Sequence, residues 1–106
     1  MPVHNEIGAI TNRIIQPYLL LYIYPSMDLH NASVVSISAH KGAKVLSVGL
    51  DGNELVAWLE VPIGTPAESY IFYLIPTYSY VPDEKIKYLG PVVLENLLTL
   101  HVYLQL

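Results

Sequence analysis

KGAKVLSVGLDGNELVAWLEV, Lys41 to Val61, is the stretch that decides the fold class. Lys44 to Val48 and Glu54 to Val61 are rich in Val, Leu and Trp, side chains that sit well on a pleated surface. Between them Asp51-Gly52 marks a tight turn, because Gly takes positive φ at no steric cost. The segment is a β-hairpin. In its second strand Leu55, Ala57, Leu59 and Val61 share one face, and Val56, Trp58 and Glu60 the other.

Working outward, the punctuation by Pro, Gly, Asn and Asp continues. Tyr18 to Tyr24, bounded by Pro17 and Pro25, is apolar on both faces and reads as a buried strand. Val34 to His40 alternates, with Val35, Ile37 and Ala39 against Ser36, Ser38 and His40, so it is half-buried. Ser69 to Ile75 is a strand stopped by Pro76, and Thr77 to Glu84 is a loop. Ile86 to Leu94 and Leu97 to Leu106 pair across Glu95-Asn96, the last strand setting Thr99, His101, Tyr103 and Gln105 on one face. The expected fold is all-β: an antiparallel sandwich or partly open barrel of about seven short strands. Residues 1–16 differ. Val3, Ile7, Ile10 and Ile14 fall at helical spacing after Asn5, a capping residue, so a short helix or an extended arm is expected there, ahead of a single β domain over 17–106.

Composition narrows the function. The chain has 106 residues, enough for one core, and is 53% hydrophobic but only 13% charged. Globular domains usually carry about 25% charged residues. A small domain has much surface for its volume, so this deficit exposes apolar area unless a partner covers it. Self-association is the leading expectation. A net charge of -4 with five Lys and Arg disfavours duplex nucleic acid or an anionic membrane as partner. There is no cysteine to form a disulfide or bind metal as thiolate. No apolar run approaches the ~20 residues of a membrane-spanning helix, and MPVHNEIGAI lacks the pattern of a secretory signal, so an intracellular protein is expected.

Lys41-Gly42-Ala43-Lys44-Val45-Leu46-Ser47-Val48, then Trp58, Thr77, Tyr88-Leu89-Gly90 and His101-Val102-Tyr103, resemble in order and spacing a family of small uncharacterised bacteriophage proteins. Members typically read Pro-Lys-Gly-Ala-Lys-Ile-Leu-Ser-Val, a Trp-Ala strand, Thr-Gly, Tyr-Ile-Gly-Thr-Val and a closing Trp-His-Val-Phe. The likeness runs roughly from Tyr22 to Gln105. It implies a viral origin, a sheet fold and a place in the host cytoplasm or the virion, and no mechanism. His40 stands where the family has Pro, Tyr78 where it has Gly, Pro91 where it has Thr, and Leu100 where it has an aromatic. Loss of Gly after Thr77 implies a different loop backbone there.

Candidate chemistry is sparse. His4, His30, His40 and His101 lie on separate segments without metal-ligand spacing, so no metal or cofactor is expected. Asp28 and His30 would share a face in an extended segment, which makes at most a weak carboxylate–imidazole pair. His101 reads as a half-buried histidine satisfied by a backbone carbonyl. Ser36, Ser38 and His40 share a face, but no acid stands at a fixed offset to orient the imidazole.

The tyrosines point further. Tyr70, Tyr73, Tyr78, Tyr80 and Tyr88 crowd together, and Tyr joins a large apolar ring to a polar tip, which suits an interface. With Val3, Ile7, Ile10 and Ile14 they form the expected interface of a non-enzymatic accessory protein that binds itself or other viral proteins. One alternative is a virion structural subunit. A more remote one is a small-ligand binder or sponge using Tyr78, Tyr80, Lys85 and Lys87 to take a nucleotide.

Overall fold

The computed structural model describes residues 12–23, 31–95 and 97–106. Seven strands run in chain order: β1 (Arg13–Tyr22), β2 (Ser33–His40), β3 (Lys44–Asp51), β4 (Glu54–Pro62), β5 (Ala67–Pro76), β6 (Ile86–Val93) and β7 (Thr99–Gln105). They form two antiparallel sheets, β1-β4-β3 and β2-β5-β7-β6, neither closed into a barrel. We call them sheet one and sheet two. No described residue is helical.

Pleat alternation builds the core between the sheets. In β4, Leu55, Ala57, Leu59 and Val61 are all fully buried, the face that alternation assigns inward. Phe72 and Leu74 of β5, Val92 of β6, and Leu100 and Val102 of β7 meet them in one cluster. Apolar surface closes on apolar surface, which is the main stabilising term of a sandwich.

The β3–β4 turn is one residue later than the Asp51-Gly52 dipeptide suggested. Asp51 pairs with Glu54, so the two central residues are Gly52 and Asn53. Gly52 has φ +62, and Asn53 is not among the positive-φ residues, which is the type II′ requirement of Gly at the first central position. A Cβ added at Gly52 meets nothing within 4 Å, so the constraint is conformational and not steric crowding. Gly52→Val should therefore cost about 1–2 kcal/mol in urea denaturation. An unchanged midpoint would show that the left-handed position does not limit the turn.

The start of the sheet also differs from the sequence expectation. β1 begins at Arg13, and Arg13 to Gln16 pair in register with Pro62 to Leu59, so 13–16 are strand and not helix. The 17–106 boundary of the β domain moves back accordingly. Ile14 lies opposite Val61, and pairing with a central strand satisfies more backbone groups than one isolated helical turn would. Pro17 does not end the strand because β1 is a sheet edge, where only one side is hydrogen-bonded. Val3, Ile7 and Ile10 fall outside the described residues, as do His4, Asp28 and His30.

Low charge has the anticipated consequence in the single chain. Ile15, Val34, Tyr78, Tyr80, Val81, Val93 and Leu97 are each more than half exposed.

Candidate functional site

The outer face of sheet two, to which the β5–β6 loop (77–85) is tied at its two ends, carries the densest group of polar aromatic side chains. Antiparallel register sets Tyr73 of β5 beside Tyr103 of β7, and Tyr103 beside Tyr88 of β6. This makes a row of three phenols running from the sheet interior to its edge. Tyr73 is buried, Tyr103 half-buried and Tyr88 exposed. The Tyr88 and Tyr103 rings sit 5.0 Å apart, inside the range of favourable tilted ring pairs.

Loop and sheet are tied at several points. At one end the Tyr73 hydroxyl donates to Glu84, and Gln105 Oε1 stands 2.9 Å from the same hydroxyl. A phenol has one proton, so it serves the carboxylate; the Gln105 amide then fits best with its NH2 turned to the phenol oxygen. The Leu106 amide also donates to the Lys85 carbonyl. At the other end His101 joins Thr77 of the loop to Tyr88 of β6, with Nε2 3.0 Å from Thr77 Oγ1 and Nδ1 2.8 Å from the Tyr88 hydroxyl. Tyr73 and Ile75 are buried although they lie on the outer face.

His101 is half-buried as expected, but among the described residues two side-chain hydroxyls hold it and no carbonyl does. His40 contacts a carbonyl instead, with Nδ1 2.7 Å from Thr65 O. A hydroxyl, an imidazole and a phenol in series have the connectivity of a nucleophile, base and orienting group. A neutral phenol cannot stabilise an imidazolium as a buried carboxylate does, so the series acts as a strut that fixes the Tyr88 ring.

Tyr73 has its phenol pushed above the usual phenol range, chiefly by the hydrogen bond to Glu84, then by burial and by the Glu84 charge. A value raised above that of the unfolded chain means a stabilising contribution that is complete below about pH 10 and lost as pH rises through the folded-state value. Wild type should therefore lose stability relative to Tyr73→Phe as pH rises above about 10, and not below. Urea midpoints on both sides of that pH check it; a constant difference would mean that the Glu84 contact does not hold the proton.

The five candidate tyrosines divide. Tyr70 closes the turn between β2 and β3, its hydroxyl donating to the His40 carbonyl at 2.8 Å and accepting from the Ala43 amide at 3.1 Å. Tyr73 is buried, with its hydroxyl on Glu84. Tyr78 is 102% and Tyr80 96% exposed, and Tyr88 faces solvent at the edge of the row. Lys85 lies one residue before β6, and Lys87 points to the face of that strand opposite Tyr88, so the lysines and the tyrosine row do not share a face. A shallow depression of about 300 Å³ is lined by Glu68, Ser69, Tyr70, Ile71, Gln105 and Leu106, away from Tyr78 and Tyr80. Among the described residues no three His, Asp or Glu side chains are placed to hold a metal ion.

Tyr78 has an unusual backbone. Its φ is +76, the left-handed region, so the loop backbone after Thr77 has the conformation a glycine favours although the residue is Tyr. Leu97, 82% exposed, has φ +66 in the β6–β7 turn. Both strained residues stand at one end of sheet two, since the Thr77 amide donates to the Thr99 carbonyl.

The chain matches no protein-family model, no curated protein and no solved structure.

Thr77, His101, Tyr103 and Glu84 belong to the site and were not selected from sequence as site residues. The alternation that put His101 and Tyr103 on one face of β7 was visible. Their alignment with Tyr73 and Tyr88 depends on strand register.

Proposed function

We propose that this protein is a non-enzymatic binding module of viral origin, and that it docks a protein surface through the tyrosine-bearing end of sheet two. Tyr78 carries the reading. Its side chain is wholly in solvent, so it contributes no burial to its own fold, yet its backbone takes a conformation that costs an L-residue about 1–2 kcal/mol. Strain of this kind clusters at functional surfaces. Tyr80, Tyr88 and Leu97 extend the exposed apolar area around it, and the His101 strut holds the Tyr88 ring in place. Rigid aromatic anchors bind with little loss of side-chain freedom, which favours a protein partner.

The experiment compares the immobilised full chain with Tyr78→Ala/Tyr80→Ala in extracts of virus-producing cells, read by quantitative mass spectrometry. A protein retained by the wild type and lost from the variant supports the reading. Identical recoveries from both would remove it. The same reading covers an accessory protein and a virion subunit, and assaying purified particles for the chain separates the two.

A further inference from the structure

We propose that β2 is a pairing edge for a second copy of this chain, so that two sheets of four strands join into one across a two-fold axis. The inference is independent of the tyrosine loop. It rests on how the four sheet edges are treated.

An edge strand leaves a row of backbone N–H and C=O groups open to another strand, and proteins blunt such rows with Pro, bulges or charges. Three of the four edges here are blunted. β1 carries Pro17, Arg13 and a bulge at Leu20. β3 carries a bulge at Leu46, with Lys44 and Asp51 at its ends. β6 carries Lys87, a bulge at Leu89 and Pro91, with Gly90 at φ +131.

β2 has none of these devices. Ser33–His40, SVVSISAH, contains no Pro, Gly, Lys, Arg, Asp or Glu, and it pairs with β5 in unbroken register over its whole length. Among the described residues β5 is its sole sheet neighbour. Val35 and Ile37 point to the core yet remain half-buried, and among the described residues no strand pairs with β2 on the side away from β5. Val34 is 64% exposed.

The occupant follows from the strand's own chemistry. Antiparallel pairing sets residues of the same face opposite each other, so β2 meets a copy of itself with the axis at Ser36 or at Ile37. With the axis at Ser36, Val35 faces Ile37 inside while Ser36 faces its own copy outside. With the axis at Ile37, Val35 faces Ala39 inside and Ser36 faces Ser38 outside. Either way the inner residues Val35 and Ile37 meet apolar partners, Ser36 meets a serine, Val34 meets Ser38 or His40 on the outer face, and no like charges are opposed. The half-buried Val35 and Ile37 become part of a core continuous through the joined sheets.

Sedimentation velocity on the full chain, from about 1 µM to about 500 µM, is the test. The mass should rise from 11.8 kDa toward twice that value. Ser36→Lys/Ser38→Lys places like charges opposite each other in both registers and should weaken dimerisation about tenfold or more. Both positions are exposed, so the monomer should keep its circular dichroism spectrum and melting temperature. Because the chain has no cysteine, Ser36→Cys gives a single spin-label site, with the two Cβ atoms within about 8 Å in either register. A short inter-label distance supports the proposal. A single-chain mass at every concentration overturns it, as does a dimer whose labels at 36 lie far apart or whose affinity the lysines leave unchanged.

Discussion

Phe72→Ala is expected to remove about 3–5 kcal/mol, a large part of the roughly 5–15 kcal/mol that holds a domain of this size together. Phe72 is the largest of the fully buried side chains and sits on β5, the strand that joins β2 to β7. Its cross-strand partners Val35 and Leu104 are fixed by backbone pairing on both sides, so the space left by the ring cannot close by simple collapse. The cost therefore combines lost transfer energy with a residual cavity. Urea denaturation by tryptophan fluorescence checks it, since Trp58 is the single reporter. Val34→Ala, on an exposed side chain of the same sheet, should stay within about 0.5 kcal/mol. A loss below about 1 kcal/mol for Phe72→Ala would mean that the two sheets do not pack as described.

Tyr78→Gly is expected to move stability and binding in opposite directions. Glycine takes φ +76 without strain, which relieves about 1–2 kcal/mol, while its extra freedom in the unfolded chain returns about 0.5–1 kcal/mol of that. No packing is lost, because the ring touches solvent alone. The net gain is about 0.5–1 kcal/mol, visible as a higher denaturation midpoint. Partner binding should fall about 30-fold or more, the effect of losing an aromatic anchor worth about 2 kcal/mol. Tyr78→Ala separates the two effects, since it loses the ring and keeps the strain. Stabilisation without loss of partner would detach the strained loop from the proposed function.

Runs of apolar and β-branched side chains between turn residues made all seven strands legible. Alternation also grouped Leu55, Ala57, Leu59 and Val61 on one face before any partner strand was known, because sharing a face is a local property of the pleat, and packing made that face the buried one. Ends were harder to place. Pro17 looked like a stop, and it lies inside β1 because a proline is tolerated at a sheet edge, and which strands are edges is not a local property. The isoleucines before it left a helix and an extended arm open, and Arg13 to Gln16 are extended, paired with β4. Likewise, Asp51-Gly52 marked the hairpin, while the pairing of Asp51 with Glu54 moved its turn to Gly52 and Asn53.

The candidate site shows the same division more sharply. Sequence alone established an all-β chain, the low charge that leaves apolar side chains in solvent, and the crowding of tyrosines between Tyr70 and Tyr88. Tertiary structure decided which of those tyrosines are spent internally: Tyr70 on a turn, Tyr73 on Glu84, and Tyr78 and Tyr80 on neither. It also decided that His101 bridges Thr77 to Tyr88 and that, among the described residues, β2 pairs on one side alone and without the bulge or proline of the other three edges. The physical reason is range. Alternation and turn propensity act between neighbours along the chain, whereas exposure at an edge and contact across a sheet are set by which distant strand supplies the hydrogen bonds.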